Sequence, residues 1–318
     1  MAYSKEKEVA TAAVTAATVI CQQVRNEITP EAIEKKDKSP VTIADFGAQA
    51  IVCKVLNEVF PNDPVVGEES AAELATPELA DQLSKVTHYV QSVIPDATGE
   101  TVIDWINHGN GQVSPRYWTL DPIDGTKGFL RGDQYAVALA MVEDGDIKVG
   151  VLGCPALTIG DYDGVLLVAV RGEGATIMAL DGSNPQKIAV TTAADSGNFR
   201  FVESVEHGDK ELHANIAEAV GITSDAIRMD SQAKYCAVAA GEAVLYLRLP
   251  SAKYPNYKEK IWDHAAGVLI TEEAGGRVTD MHGRPLDFSK AARLNDNRGV
   301  VVSNGVIHDQ VLTALQSA

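Results

Sequence analysis

Two aspartates three residues apart, Asp121 and Asp124, stand after a short apolar run and are followed by a glycine and a threonine. Pro122 between them has a fixed φ angle and favours an extended conformation for the residue before it. The pattern predicts a strand that ends at Leu120, a tight turn that carries both carboxylates, and a helix that begins near residues 125–126. Asp-Pro and Asp-Gly also occur in plain turns, but two adjacent carboxylates repel each other unless a cation lies between them. Mg²⁺ prefers such oxygen ligands, so the motif predicts a magnesium site.

Other acidic residues accompany this motif at three further positions. Asp45 lies near a predicted helix start, Glu68 and Glu69 follow a short apolar strand, and Asp263 stands at the start of an apolar helix. Taken singly, Asp45 and Asp263 could be helix caps, and the glutamate pair could be solvated surface. In combination with the aspartate motif, the three positions favour a shared metal site.

The composition excludes several classes of partner. The 318 residues carry 44 acidic and 27 basic side chains, which gives a formal net charge of −17. Nucleic-acid polymers and membranes are therefore not expected as partners, and an anionic small substrate requires a metal or a local basic patch. The four cysteines lie far apart and form no zinc pattern. The N-terminus is polar and the chain lacks an apolar run of about 18 residues, so a cytoplasmic protein is expected.

Hydrophobic periodicity divides the chain into two parts. Residues 1–197 are predicted to be α+β, with two helices, a short strand, a weakly patterned segment and two hairpins. These elements are predicted at about residues 4–24, 43–59, 65–66, 71–98, 135–152 and 165–180. Residues 198–318 are predicted to be α/β because strands and helices alternate. Their elements are predicted at about residues 201–202, 209–220, 233–241, 244–247, 263–274 and 299–303, before a final helix.

Taken together, the acidic motifs resemble those of the lithium-sensitive, Mg²⁺-dependent phosphatases. The motifs are Asp45, Gly67-Glu68-Glu69, Asp121-Pro-Ile-Asp124-Gly-Thr126 and Trp262-Asp263-His-Ala-Ala-Gly267. They follow the order of that superfamily, which includes inositol monophosphatases, and they cover most of the chain. The resemblance implies an α+β / α/β layered αβαβα sandwich of the sugar-phosphatase type. Its two subdomains would be residues 1–197 and 198–318, with the site in the cleft between them.

Two further stretches are similar to the 3′(2′),5′-bisphosphate nucleotidases of this superfamily. They are residues 125–140, and Asp230-Ser-Gln-Ala-Lys234 together with Leu245-Tyr-Leu-Arg248. Such enzymes remove the 3′-phosphate of 3′-phosphoadenosine 5′-phosphate (PAP) to give AMP, and many convert the sulfated form, PAPS, to APS. The resemblance therefore implies a lithium-inhibited phosphatase with a small nucleotide bisphosphate substrate, with links to sulfur metabolism and salt tolerance. We expect a monomer.

The resemblance also implies a role for each matched residue. Asp45 and Thr126 would orient and deprotonate the attacking water. The ligands implied for two or three Mg²⁺ ions are Glu68, Asp121, the carbonyl of Ile123, Asp124 and Asp263. The groups implied for the substrate are the N–H groups of Gly125 and Thr126, on its phosphate, and Ser231, Lys234 and Arg248, on its nucleotide and second phosphate. Glu69 would stand behind the ligands or reach a metal through water.

One segment departs from the nucleotidase pattern. Related enzymes place a histidine in the nucleotide site shortly after a Ser-Val-Glu sequence. Here Ser204-Val-Glu206 is followed by His207 and Asp209. In simple register the histidine position falls at Asp209, where a carboxylate would repel phosphate, and His207 lies two residues earlier. Both residues are predicted substrate contacts, although the departure puts fine specificity in doubt.

Three functions stay open at this point. The first is a bisphosphate nucleotidase, which Ser231, Lys234 and Arg248 favour. The second is an inositol polyphosphate 1-phosphatase or inositol monophosphatase with the same metal centre. The third is a catalytically silent metal- or nucleotide-binding protein, which the presence of Asp45 and Thr126 argues against. The sequence leaves open the preference among PAP, PAPS and inositol bisphosphates and the number of metal ions.

Overall fold

Two long helices at the start of the chain, α1 (Ser4–Glu27) and α2 (Ile43–Val59), confirm the first two predicted helices. One stripe of α1 is buried at helical spacing, whereas α2 is buried on most sides because other helices and a sheet contact it. Between them, β1 (Ile33–Glu34) and β2 (Pro40–Val41) pair antiparallel. The computed structural model describes residues 2–27, 33–34, 40–192, 199–206, 208–251 and 253–317.

Seven strands form the larger sheet, in which neighbours along the chain are also neighbours in space. They are β3 (Val65–Gly67), β4 (Arg116–Asp124), β5 (Ala136–Glu143), β6 (Asp146–Ile159), β7 (Tyr162–Val170), β8 (Gly174–Ala179) and β9 (Gln186–Ile188). β3 pairs parallel with β4, and all later pairs are antiparallel. The two predicted hairpins are confirmed as β5–β6 and β7–β8, and they are consecutive parts of one meander.

The strand that carries the aspartate motif is longer than expected, and the prediction that it ends at Leu120 is wrong. β4 continues to Asp124 through a bulge, since its register with β5 shifts between Asp121 and Asp124. The bulge adds one residue to β4, so Pro122, which has no N–H, fits without ending the ladder. The sheet therefore holds both carboxylates, and α5 (Thr126–Arg131) begins where it was predicted.

Two further helices lie between β3 and β4. Within the weakly patterned segment 71–98, a 3₁₀ turn (Pro77–Leu79) leads into α3 (Ala80–Gln91). The next helix, α4 (Gly99–His108), was not predicted. Its N-cap residue, Thr98, closes a capping box with another threonine, so the usual Glu or Gln signature is missing from the sequence.

The smaller sheet is mixed and lies in the second part of the chain. Its strands are β10 (Phe201–Ser204), β11 (Ile227–Met229), β12 (Leu245–Arg248), β13 (Arg277–Thr279) and β14 (Val300–Ser303), in the order β11-β10-β12-β14-β13. β10 pairs parallel with β11 and β12, whereas β14 pairs antiparallel with β12 and β13. The accompanying helices are α6 (Lys210–Ala219), α7 (Ala233–Ala239), α8 (Ala265–Glu273) and α9 (His308–Ser317).

Helices and sheets alternate through the molecule in five layers. α1 and α2 cover one face of the larger sheet, and α7 and α8 lie between its other face and the smaller sheet. α6 and α9 cover the outer face of the smaller sheet. This order confirms the expected αβαβα sandwich. The middle helices approach closely because β5 turns the alanines of residues 136–140 toward them and its larger side chains toward α1 and α2.

The predicted boundary between two subdomains, residues 197/198, falls in a segment outside the described residues. The strands of the larger sheet all precede it, and the strands of the smaller sheet all follow it. The division into 1–197 and 198–318 stays a prediction. Among the described residues, no helix combines the length and the apolar character needed to cross a membrane.

Candidate active site

Glu68 and the aspartates of β4 come together because β3 and β4 are parallel neighbours. The N–H of Glu68, the first residue after β3, donates a hydrogen bond to the carbonyl of Leu120 at 3.1 Å. Residues that follow one parallel strand lie beside the end of the next. Asp263 reaches the same place from the chain that leads into α8, since its charge acts on both Asp121 and Asp124. The structure therefore brings together the four acidic side chains predicted to bind metal.

Asp121 is the most deeply buried aspartate of this cluster. Its side chain is buried, and burial raises its pKa well above the usual range, with further increases from Glu68, Asp124 and Asp263. Its carboxyl group lies within hydrogen-bonding reach of the Glu68 carboxyl group. Among the described residues, Asp121 Oδ1 has no hydrogen-bond partner. A buried acid that faces other acids is a costly arrangement unless a cation neutralises it.

Asp124 and Asp263 are half-buried and influence each other. Burial raises the pKa of Asp124 to about 6, Asp263 adds to the increase, and Lys234 and Arg248 oppose it. Burial also raises the pKa of Asp263 to about 6, although Arg248 opposes that increase. Because these raised pKa values arise where acids from different elements meet, they are consistent with a functional cluster.

Gln232 joins three parts of the site and was not predicted from the sequence. Its backbone N–H donates to Asp124 Oδ2 at 2.6 Å, and its side-chain amide donates to the carbonyl of Trp262 at 2.9 Å. Its side-chain oxygen accepts from the N–H of Gly267 at 3.0 Å. The buried amide thus fixes the motif around Asp263 against the motif around Asp124. Its place in the run Asp230–Lys234 was the available signal.

Asp45 and Thr126, the residues predicted to handle the attacking water, face each other. Asp45 is the third residue of α2 and closes a capping box with Thr42, whose N–H donates to Asp45 Oδ2 at 2.7 Å. The hydroxyl of Thr126 lies 3.3 Å from Asp45 Oδ1 and 3.3 Å from the carbonyl of Ile123. The Thr126 hydroxyl has one proton, so it can donate a hydrogen bond either to the Asp45 carboxylate or to the carbonyl of Ile123, the predicted metal ligand.

The backbone near the start of α5 depends on a glycine. Gly125 has a φ of +87°, and a side chain there would place its Cβ 3.0 Å from the Cβ of Ser231. Ser231 is itself buried in the left-handed region, with a φ of +62°. Its hydroxyl accepts a hydrogen bond from the N–H of Ala233 at 3.1 Å. The predicted phosphate contacts of Gly125 and Thr126 thus lie next to a predicted nucleotide contact.

Lys234 is buried within the acidic surroundings of the site. Its ammonium group donates to the carbonyl of Ser231 at 2.6 Å and lies 5.3 Å from the ring centre of Tyr246. Burial lowers its pKa to about 8, while Asp124 opposes that decrease. Lys234 is only 3% exposed, so it is not a solvated surface charge.

Arg248 lies at the end of β12 between two acids. Its Nε donates to Glu259 Oε2 at 2.7 Å, and its Nη2 lies 3.5 Å from Asp263 Oδ2. Behind Glu259, His264 Nε2 lies 3.3 Å from the same carboxylate oxygen, and His264 Nδ1 lies 2.7 Å from the hydroxyl of Tyr235. Sequence reasoning predicted Arg248 and Asp263 but missed Glu259, His264 and Tyr235, whose roles depend on contacts between separate elements.

A pocket beside Arg248 has three tyrosines among its lining residues. Its lining residues include Ser204, Tyr246, Arg248, Pro250, Tyr254, Tyr257 and Glu259. Tyr254 and Tyr257 are exposed at its rim. Arg248 and Glu259 lie in the pocket wall, and Arg248 also approaches Asp263, so the pocket adjoins the acidic cluster.

The remaining predicted residues have different surroundings. Glu69 is buried. Its N–H donates to Gln49 Oε1 at 3.0 Å, and its carbonyl accepts from Gln49 Nε2 at 2.5 Å. His207 lies outside the described residues. Asp209 is exposed and caps α6, since its carboxylate accepts from the N–H of Leu212 at 3.1 Å. Its direct contact with a substrate stays a prediction.

The donor set at the acidic cluster fits a divalent cation. Asp121 offers a buried carboxylate oxygen without a hydrogen-bond partner among the described residues, and Glu68, Asp124 and Asp263 offer further carboxylates. Hard oxygen donors of this kind match Mg²⁺ better than they match softer metals. Glu259, Asp263 and His264 also have ligand atoms within 4.8 Å of one another. Because Glu259 already forms an ion pair with Arg248, we interpret Glu259, Asp263 and His264 as part of an ion-pair network.

A five-layered sandwich with an acidic cluster beside the bulge of β4 defines the class of sugar-phosphatase-type folds. A family model described as the inositol monophosphatase family matches residues 4–318. The chain belongs to this family. Members of the family depend on a metal ion, generally Mg²⁺, and their substrates are small phosphate compounds.

Individual relatives agree with this membership. The chain is 41% identical to a 3′(2′),5′-bisphosphate nucleotidase from Emericella nidulans, over 99% of each chain. It is also 41% identical to a protein of the same name from Schizosaccharomyces pombe, over 99% of this chain and 96% of that one. An IMPase structure from Thermotoga maritima matches 98% of this chain and 97% of its own, with a TM-score of 0.67 and 21% identity. That last similarity shows the fold alone.

Proposed function

We propose that this protein hydrolyses the 3′-phosphate of PAP to give AMP and phosphate, and that it converts PAPS to APS. Full-length relatives at 41% identity that are named bisphosphate nucleotidases support the proposal. One structural observation carries it. The acidic cluster that would hold the reacting phosphate adjoins an aromatic pocket, and Arg248 stands at their junction.

The pocket has the groups that a nucleotide requires. An adenine base can stack on tyrosine rings, and Tyr246, Tyr254 and Tyr257 line the pocket. Arginine is well suited to a second phosphate because its guanidinium presents several donors in one plane. Lys234 and Ser231 lie beside the acidic cluster, near Asp124 and Gly125, where they would contact the sugar phosphate. An inositol ring is not aromatic and cannot stack on the tyrosines as a base can, so the pocket favours a nucleotide.

The residues around the reacting phosphate have distinct tasks in this proposal. Glu68, Asp121, Asp124, Asp263 and the carbonyl of Ile123 would hold two or three Mg²⁺ ions. When bound, Mg²⁺ supplies charge neutralisation to the phosphate and lowers the pKa of a bound water. Asp45 acts as the general base through the hydroxyl of Thr126, which it orients by hydrogen bonding. The N–H groups of Gly125 and Thr126 would hold phosphate oxygens.

The proposal is tested by phosphate release with Mg²⁺ from PAP, PAPS, inositol 1-phosphate and inositol 1,4-bisphosphate under identical conditions. We expect a large preference in kcat/KM for the adenosine bisphosphates. A preference for an inositol phosphate would overturn the nucleotide assignment while keeping the acidic cluster. Activity is also expected to fall in LiCl of millimolar order, and undiminished turnover well above that range would contradict lithium inhibition.

Two further properties stay predictions under this proposal. We expect a cytoplasmic protein that acts as a monomer on a small substrate. Sedimentation or size-exclusion chromatography with light scattering would test the monomer, and a dimer at assay concentrations would contradict it. A role in sulfur metabolism or salt tolerance is part of the same hypothesis.

A further inference from the structure

We propose that Glu259 is a positioning residue that holds Arg248 in place for the second phosphate of the substrate. In this role it determines the preference for a nucleotide bisphosphate over a monophosphate. The inference rests on the proposed function, since it assigns Arg248 to a nucleotide phosphate. It goes beyond that function because Glu259 itself need not touch the substrate.

The contact between Glu259 and Arg248 leaves part of the arginine side chain exposed. Glu259 Oε2 accepts a hydrogen bond from Arg248 Nε at 2.7 Å. Arg248 Nη2 lies 3.5 Å from Asp263 Oδ2, which is a much weaker contact. The Arg248 side chain is 28% exposed, whereas the Glu259 side chain is only 10% exposed. A buried carboxylate thus holds one edge of the guanidinium of Arg248, and Arg248 is a lining residue of the pocket.

A second layer of hydrogen bonds fixes Glu259 from behind. His264 is fully buried, with Nδ1 at 2.7 Å from the Tyr235 hydroxyl and Nε2 at 3.3 Å from Glu259 Oε2. We assign the tautomer with the proton on Nε2, because a bare ring nitrogen facing a carboxylate would be repelled. Tyr235 then donates to Nδ1, and His264 donates to Glu259. This series of hydrogen bonds runs from the buried Tyr235 through His264 and Glu259 to Arg248 in the pocket wall.

Without Glu259, the nearest carboxylate to the guanidinium is that of Asp263. An arginine that loses its partner is expected to turn toward Asp263, because a half-buried guanidinium seeks a counter-ion. The turn would remove donors from the pocket. A purely electrostatic role for Glu259 predicts the opposite effect, since removal of a negative charge should strengthen the binding of an anionic phosphate. The direction of the change in KM therefore separates the two roles.

The test measures kcat and KM of Glu259→Gln with PAP and with adenosine 3′-monophosphate, which lacks the 5′-phosphate, at saturating Mg²⁺. We expect the KM for PAP to rise about tenfold or more. We expect kcat/KM for the monophosphate to change by less than about twofold. In a double-mutant cycle, adding Glu259→Gln to Arg248→Ala should cost little more than Arg248→Ala alone. Glu242→Gln, at an exposed acid, is the matched control and should behave as wild type.

Tyr235→Phe provides a second variant if Glu259→Gln does not fold. It removes one hydroxyl at the far end of the chain and should raise the KM for PAP a few-fold in the same direction. If the wild-type enzyme does not prefer PAP over the monophosphate, the proposed function fails. If the wild type has that preference, the inference is overturned by a lower KM for PAP in Glu259→Gln. An unchanged preference for PAP over the monophosphate in Tyr235→Phe also overturns the inference.

Discussion

Asp45 has a structural role and a proposed chemical role in the same carboxylate. Oδ2 accepts from the N–H of Thr42 at 2.7 Å and from its hydroxyl at 2.5 Å, and so closes the capping box of α2. Oδ1 faces the hydroxyl of Thr126 at 3.3 Å. The sequence could suggest either role, and the structure gives each oxygen one of them. A substitution must therefore keep the cap in order to test the chemistry.

Asp45→Asn is expected to lower kcat by about 10²–10⁴-fold with little change in nucleotide affinity. The amide oxygen can still accept from Thr42, so α2 keeps its cap, but an amide cannot take a proton from water. Steady-state kinetics give the rate, and calorimetry with AMP gives the affinity. Asp104→Asn, at an exposed position of α4, is the control. Wild-type turnover in Asp45→Asn would rule out Asp45 as the base.

Elements of the smaller sheet meet at a buried histidine far from the acidic cluster. His308 begins α9, and its ring lies 2.9 Å from the hydroxyl of Thr279 and 2.8 Å from the hydroxyl of Ser303. Burial lowers the pKa of His308 to about 4, and Arg277 adds to the decrease. The ring therefore links β13, β14 and α9 in its neutral form.

This histidine predicts a loss of stability in mild acid. The unfolded chain binds a proton near pH 6.5, whereas the folded chain resists it until about pH 4. The contribution of His308 is therefore complete above pH 6.5 and declines as the pH falls to about 4, by about 3 kcal/mol in the free energy of unfolding. Urea unfolding of His308→Asn should lack this decline. Its overall stability should be lower at pH 7, because the ring contacts are lost.

Replacement of the exposed His282 by asparagine is the matched control for the acid measurement. The decline that wild type shows relative to His308→Asn between pH 6.5 and 4 should persist in that variant. A decline of equal size in His308→Asn would contradict the assignment to His308.

On the scale of the whole molecule, the acidic cluster draws on both parts of the chain. Glu68, Asp121 and Asp124 belong to the larger sheet and its edge, whereas Asp263 precedes α8 in the middle layer. Burial and mutual repulsion raise the pKa values of Asp124 and Asp263 to about 6. In the absence of a cation, these groups oppose the packing that the middle helices make with the larger sheet.

Mg²⁺ is therefore expected to stabilise the whole fold, and more strongly at pH 7 than at pH 5. Acids with raised pKa values stabilise the folded state below about pH 4 and lose that contribution as the pH rises through about 6. In EDTA, these two acids should lower Tm as the pH rises over this range, which is opposite in sign to the contribution of His308, and saturating Mg²⁺ should restore several degrees at pH 7. Differential scanning calorimetry measures both effects.

Asp124→Asn separates repulsion from cation binding in the same experiment. We expect a higher Tm than wild type in EDTA at pH 7, because one half-buried charge in the acidic cluster is removed. The increase in Tm on adding Mg²⁺ should shrink. Glu242→Gln, an exposed change of equal charge, should keep the wild-type increase. An Mg²⁺ effect that is independent of pH and unaltered in Asp124→Asn would contradict the proposed site.

Long periodic segments and short chemical motifs were readable from the sequence. The apolar spacing of α1 and α2 and the alternation along the meander are local properties, so they predicted those elements. Acidic residues with restrictive neighbours, such as Asp121 beside Pro122, likewise indicated chemistry by residue type and spacing. Short elements were missed, because β9, β11 and β13 have three residues each and exist only through pairing with their neighbours.

The tertiary structure alone decided how the site is held together. The bulge of β4 depends on its register with β5, which no local pattern of residues 121–124 contains. Gln232, Glu259 and His264 act through contacts with distant residues, and only the layered packing brings those partners within hydrogen-bonding distance. Residue types are local, so the sequence determined which groups could do chemistry. Electrostatic environment is non-local, because burial and neighbouring charge set each pKa, and these arise only when the layers assemble.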